Sequence, residues 1–209
     1  TSAERFYVHT DIYDEFAERL IAEVSKLRVG DGLGKVDVGP MVNAREYERF
    51  EKIMAQAIEQ GARVACGGQR PEGKPNGYFY EPTVLLDVTP DMSIVNGECF
   101  GPVAPLVRVD SFEEAMRLAN ASALGLGANI YSTELAEVHA AIDNFECGMV
   151  WVNAPLLDND AGPFGGRKLS GIGRQLGKEG LDQFRHTKLV MIDPRATDQD
   201  FWWFPYADD

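Results

Sequence analysis

An α/β fold, with a largely parallel sheet covered by helices, is predicted by two features of the 209-residue sequence. From Val103 to Val152, short apolar runs alternate with helical patterns of about 10–15 residues, the order that arises when a helix carries the chain back to start a parallel strand. Apolar residues make up 44 % of the chain, enough for one substantial core.

Taken in order, Arg5–His9 alternates as a strand, and Asp11 to about Arg28 follows as a helix. Its stripe is Ile12, Phe16, Leu20, Val24 and Leu27 at spacings of three and four, and Gly30 stops it. The glycines between Val29 and Val42 predict a loop. Asn43 with Glu46 has the spacing of a capping box, and Tyr47, Phe50, Met54, Ala57 and Ile58 give the next helical stripe up to Gly61. Arg63–Cys66 is a short strand, residues 67–77 an exposed turn, and Tyr78–Val88 an extended segment in which Pro82 marks a strand start or an edge. Val103–Val109 is a strand; Ser111 with Glu114 caps a helix whose Phe112, Ala115, Leu118 and Ala119 face inward. Gly127–Tyr131 is a strand, Thr133 caps a helix to about Phe145, and Gly148–Val152 returns to strand. Lys178–Phe184 reads as a short helix. Leu189–Ile192 is a late strand closed by Pro194, and the aromatic run Phe201–Tyr206 is predicted to pack on its own subunit or a partner.

The net charge of −13 argues against nucleic acid as a partner, because phosphate recognition needs clustered Lys and Arg in excess. No apolar run of about 18 residues and no basic-then-apolar leader occurs, so neither a membrane span nor a signal peptide is expected. Cys66, Cys99 and Cys147 lack any C-x-x-C spacing, and His9, His139 and His186 are scattered. That pattern fits reduced thiols in the cytoplasm better than a disulfide framework or a zinc site.

The stretch with the most chemistry is Glu98-Cys99-Phe100-Gly101-Pro102. In an extended segment, Glu98 and Phe100 share one face and Cys99 takes the other, as a small buried residue. A carboxylate can accept hydrogen bonds from a pair of ribose hydroxyls, and a ring beside it can pack on a flat base. The alternative is a solvated Glu and a core Phe at a strand end. Ligands of open α/β sheets gather beyond the carboxyl ends of strands, where Glu98 is expected to follow a strand and Asn153 to follow another. Pro163-Phe164-Gly165-Gly166 is a tight bend, in which Phe164 is either core or pocket.

Four motifs in order, Thr1–Arg5, Glu98–Val103, Gly148–Asn153 and Pro163–Arg174, resemble the C-terminal half of an NAD(P)-dependent aldehyde dehydrogenase over nearly the whole chain. The resemblance implies that Glu98 holds the nicotinamide ribose, Phe100 packs near the nicotinamide ring and Phe164 lines the aldehyde pocket. In some betaine-aldehyde-type relatives, the positions of Lys168 and Gly171 offer main-chain oxygens to a monovalent cation. The family's nucleophilic cysteine falls immediately before Thr1, and its general base and cofactor domain farther upstream. A fragment, a processed product or half of a split enzyme is therefore expected, inactive by itself. Residues 1–185 correspond to part of the catalytic domain. Residues 186–209 correspond to an oligomerisation strand and tail that build a homodimer or homotetramer.

The parent reaction implied is oxidation of an aldehyde to a carboxylate, with NAD or NADP, through a cysteine thiohemiacetal and thioester. Two alternatives stand beside it. One is a noncatalytic assembly module; the other is an acyl-CoA- or phosphate-linked reductase of the same superfamily. The identity of the aldehyde is not legible, because part of its pocket lies upstream.

Overall fold

The computed structural model describes residues 2–74 and 76–195. The elements run β1 (Phe6–His9), α1 (Thr10–Val24), α2 (Ala44–Glu59), β2 (Arg63–Cys66), β3 (Thr83–Val88), α3 (Ser93–Asn96) and β4 (Val103–Val109). They continue α4 (Phe112–Asn120), β5 (Leu124–Gly125), β6 (Gly127–Ile130), α5 (Leu135–Asn144), β7 (Met149–Val152), β8 (Arg167–Lys168) and α6 (Gly177–Asp182).

Four strands form one sheet in the order β1-β4-β3-β2, parallel except for the antiparallel pair β2 and β3. Strands β6 and β7 pair in parallel, and β5 with β8 antiparallel, as two smaller sheets. The predicted α/β class is the one observed. Pro82 directly precedes β3, a strand with neighbours on both sides, so it marks a strand start and not an edge.

Period-two alternation divides the core between two helices. On one face Leu85 and Val107 pack with Tyr47, Phe50 and Met54 of α2; on the other Val84, Leu86 and Leu106 pack with Tyr13 and Ala17 of α1. Buried on both faces, the central strands read as nearly continuous apolar runs. Each fully buried Leu or Phe contributes roughly 1.5–3 kcal/mol relative to exposure.

Several local expectations shift. Helix α1 ends at Val24, because Ser25 turns its hydroxyl back onto Ile21 O at 2.7 Å and the next amides, Lys26 and Leu27, bond three residues back. Of the predicted stripe, Phe16, Leu20 and Val24 pack against the core beside the more deeply buried Tyr13 and Ala17, while Ile12 and Leu27 stay exposed. Asn43 caps α2 by accepting from Glu46 N at 2.9 Å, as predicted, but Ile58 lies outside the stripe and is exposed. Ser111 caps α4 as predicted, although none of its inward residues is fully buried. Thr133 does not cap α5. Ser132 serves that end by accepting from Glu134 N at 3.1 Å.

Leu189–Ile192 form no strand and remain exposed. A strand needs a neighbour for its N–H and C=O groups, and the chain offers this segment none among the described residues. The aromatic run 201–206 lies outside the described residues.

The loop from Arg28 to Val38 is closed by a side chain. Arg28 donates to both Asp37 carboxylate oxygens, at 2.8 and 3.1 Å, and the Arg28 amide donates to the same group at 2.9 Å. These bonds hold the Asp37 carboxyl down at about 2, from an ordinary 3.8. A depressed carboxyl stabilises the fold above its unfolded pKa and loses that contribution as pH falls through the folded value. Asp37→Asn is therefore expected to lower the Tm slightly at pH 6, with the gap to wild type closing between pH 4 and pH 2. A gap of constant size across a pH series of melting curves would count against the assignment.

Candidate active site

Between α3 and β4 the chain runs through Gly97–Pro102 without regular structure, and its side chains still alternate. Cys99 is 2 % exposed while Phe100 is 63 % exposed. The Glu98 side chain is 51 % exposed, so Glu98 and Phe100 face outward together. Exposure on either side of buried Cys99 follows the predicted alternation.

The location differs from the expectation. Glu98 follows helix α3 and precedes β4, and Pro102 O accepts from the amide of Thr83, the first residue of β3. The loop therefore sits at the amino ends of parallel strands and not at their carboxyl ends. The cause is the short β3-to-β4 crossover, which brings the chain back to the start of the sheet immediately before Val103. Asn153 does follow a strand, β7, but its side-chain amide is spent on Ser132, accepting from N at 3.0 Å and donating to O at 2.9 Å.

Phe100 opens onto a groove of about 300 Å³, shared with Ser2, Pro40, Met41, Glu46 and Tyr80. Gly101 seats the loop on the core. A methyl group there would lie 2.2 Å from Phe50 Cδ2, and Phe50 is itself fixed edge-to-face against Tyr80, with ring centroids 4.8 Å apart.

Three side chains fix the loop's backbone. Arg5 donates to Val95 O at 2.6 Å and Gly97 O at 3.1 Å, Glu4 accepts from Cys99 N at 3.0 Å, and Arg49 of α2 donates to Glu98 O at 2.9 Å. Arg49 also lies 3.7 Å from the Glu98 carboxylate and 3.5 Å from that of Glu46. A half-exposed pair at 3.7 Å is weak and screened, which leaves the Glu98 carboxylate accessible to a ligand's donors.

Burial and the nearby Glu4 carboxylate push the Cys99 thiol up to about 12, despite Arg49. Burial also raises Cys147, whose thiol lies 3.0 Å from Met149 O. A thiol so far above neutral pH holds almost no thiolate, the reactive form. Cys99 is expected to resist iodoacetamide at pH 8 in the folded protein and to react within minutes in guanidinium, as read by peptide mass spectrometry; equal labelling in both would exclude the buried assignment.

Phe164 is half-buried and outside both core clusters. Its amide and carbonyl bridge to Gln175 at 2.7 Å each way, and Gly165 O crowds Gly148 so closely that only a glycine fits there. This bend thus abuts the start of β7, and Phe164 is not among the residues lining the Phe100 groove. Lys168 (φ 53) and Gly171 (φ 138) both have positive φ. The Lys168 ammonium donates to Asn120 O at 2.7 Å and Ser122 O at 3.0 Å and pairs with Glu146 at 2.6 Å, closing the carboxyl end of α4. That pairing holds the Glu146 carboxyl below its usual range.

Sequence reasoning missed Glu4, Arg5, Glu46 and Arg49 as members of this site. Glu46 and Arg49 are spaced three apart on one helix, which signals a surface pair. Their connection to Glu98 spans about half a hundred residues and leaves no local trace.

Comparison with known proteins bears on the family and the fold. The model of the aldehyde dehydrogenase family matches residues 1–190. A 3-sulfolactaldehyde dehydrogenase from Pseudomonas putida is 41 % identical over 191 residues, covering 91 % of this chain and 39 % of the relative. An NADP(+) succinate-semialdehyde dehydrogenase from Mycobacterium leprae is 40 % identical over 192 residues, covering 91 % of this chain and 42 % of the relative. Among solved structures, betaine aldehyde dehydrogenase from Staphylococcus aureus in complex with NAD+ superposes with a TM-score of 0.83 at 35 % identity, covering 87 % of this chain and 37 % of that one. The chain thus spans about two fifths of the length of the relatives it matches. It belongs to the aldehyde dehydrogenase family.

Proposed function

We propose that residues 1–185 form part of the catalytic domain of an enzyme that oxidises an aldehyde to a carboxylate with NAD or NADP, and that residues 186–209 serve its oligomerisation. The observation that carries this reading is that Ser2 and Phe100 line one groove, with the half-exposed Glu98 carboxylate two residues before Phe100 in the same loop. Ser2 belongs to the segment that, in the family pattern, follows the nucleophilic cysteine.

The residues present fit a dinucleotide. The Glu98 carboxylate can accept from two ribose hydroxyls, and the exposed Phe100 ring offers an apolar face to the nicotinamide. The Arg49 guanidinium, beside Glu98 on a half-exposed surface, supplies positive charge for a phosphate. A bound nicotinamide supplies the hydride acceptor. The chain's own part is positional: orient the ribose, set the ring against the aldehyde carbon and exclude water from one side. Leu189–Ile192, exposed and without a strand partner among the described residues, favours an added contribution to assembly.

The test is product identity. The protein is incubated with sulfolactaldehyde, succinate semialdehyde and betaine aldehyde and either nucleotide, and products are read by mass spectrometry. A carboxylate with matching NAD(P)H supports the proposal. A thioester formed only with coenzyme A favours the reductase alternative. No turnover when the chain is assayed together with the upstream part that carries the nucleophile and the cofactor domain favours the assembly module.

A further inference from the structure

The peptide group joining Glu98 to Cys99 is gripped at both polar ends. Its carbonyl accepts from Arg49 Nη2 at 2.9 Å, and its N–H donates to Glu4 Oε2 at 3.0 Å. A peptide group is planar, so fixing both ends fixes its rotation, and with it the backbone torsion from which the Glu98 side chain projects. Arg5, the next residue along, anchors the approach to the same loop through Val95 O and Gly97 O. On the far side, buried Cys99 prevents the segment from rolling.

A carboxylate such as Glu4 has other places to go. It lies in the segment entering β1, where water is within reach, yet it turns 95 residues away in sequence to accept a main-chain N–H. A hydrogen bond to a charged acceptor is worth about twice a neutral one. Its energy is here directed at the one peptide whose orientation aims Glu98.

We infer that Glu4 is a positioning residue, which together with Arg49 clamps the Glu98–Cys99 peptide and so aims the Glu98 carboxylate at the cofactor ribose. The clamp also links two parts of the site. Glu4 lies on the segment that lines the groove through Ser2, so its carboxylate-to-amide bond, beside the two bonds from Arg5, ties that segment to the peptide that carries Glu98. This inference rests on the reading of Glu98 given above.

The test has a structural arm and a kinetic arm. In the 209-residue chain, amide hydrogen exchange at Cys99 is expected to accelerate in Glu4→Ala and to stay slow in Glu4→Gln, whose amide oxygen still accepts the bond. In the assembled enzyme, with rates expressed per alkylatable catalytic thiol so that unfolded protein is not counted, Glu4→Ala is expected to lower kcat about ten-fold. A primary isotope effect with 1-deuterated aldehyde should appear, with the KM for aldehyde unchanged and with Glu4→Gln near wild type. Combining Glu4→Ala with Glu98→Gln should cost no more than Glu98→Gln alone, because both act through one carboxylate.

Unchanged exchange at Cys99 in Glu4→Ala, or faster exchange with unchanged kcat and isotope effect, overturns the positioning role. If Glu98→Gln loses hydride transfer and Glu4→Ala does not, only this inference fails. If neither variant loses it, the reading of Glu98 fails as well.

Discussion

Replacing Glu98 by Gln is expected to slow hydride transfer in the assembled enzyme by about 10- to 100-fold while leaving the catalytic thiol open to alkylation at the wild-type rate. The magnitude follows from the bond type. A hydrogen bond to a charged partner contributes about 1.5–3 kcal/mol, and each 1.4 kcal/mol lost at the transition state is a factor of ten in rate. Gln keeps the length and one acceptor, so the fold should persist. The lost charge weakens the grip on two hydroxyls at once and releases Arg49, which now lies 3.7 Å from the carboxylate. In the role proposed for it, Glu98 would hold the ribose and not touch the reacting carbon, so the loss belongs in the hydride step and in cofactor affinity. Stopped-flow appearance of NAD(P)H with protonated and 1-deuterated aldehyde measures the first, and fluorescence titration the second. Normal turnover together with normal affinity would refute the role given to Glu98.

The parts of this site that were legible in the sequence are those set by local periodicity. The alternation that turns Cys99 inward and Glu98 and Phe100 outward needs only an extended backbone, and it survives although the segment belongs to no strand. The caps at Asn43 and Ser111 were legible for the same reason, since side chain and amide lie three residues apart. What was hidden is set by crossings of the chain. Glu4 and Arg49 meet the Glu98–Cys99 peptide from 95 and 49 residues away, and nothing in their neighbourhoods announces it. The end of the sheet at which Glu98 lies was misjudged because a turn of helix, α3, stands where a strand was expected. In α1 the predicted stripe holds at Phe16, Leu20 and Val24, which pack against the core beside Tyr13 and Ala17, and fails at Ile12, apolar at the correct spacing but exposed next to Tyr13, whose hydroxyl reaches Leu106 O at 3.3 Å. Leu189–Ile192 has strand composition, but β structure is a property of pairs.

Gly101→Ala is expected to lower stability by about 1–3 kcal/mol, the usual cost of forcing an added methyl into a packed region, and to displace the loop that carries Glu98 and Phe100. The added carbon would stand 2.2 Å from Phe50 Cδ2 and 2.4 Å from Cε2. Phe50 is 2 % exposed and braced against Tyr80, so the ring has nowhere to turn. The loop must lift instead. Lifting it strains the bonds that Glu4 and Arg49 make to the Glu98–Cys99 peptide, so Glu98 and Phe100 lose their common orientation. A fall in Tm of several degrees should therefore accompany a loss of cofactor affinity. Gly32→Ala is the control, since a methyl group there meets nothing within 4 Å. Phe50→Leu supplies the decisive comparison. Alone it loses ring packing and destabilises, but combined with Gly101→Ala it removes the obstacle, so the pair should cost less than the sum of the two single changes. Additive losses would mean that the Phe50 ring is not what requires glycine at 101, and a wild-type Tm for Gly101→Ala would mean that nothing does.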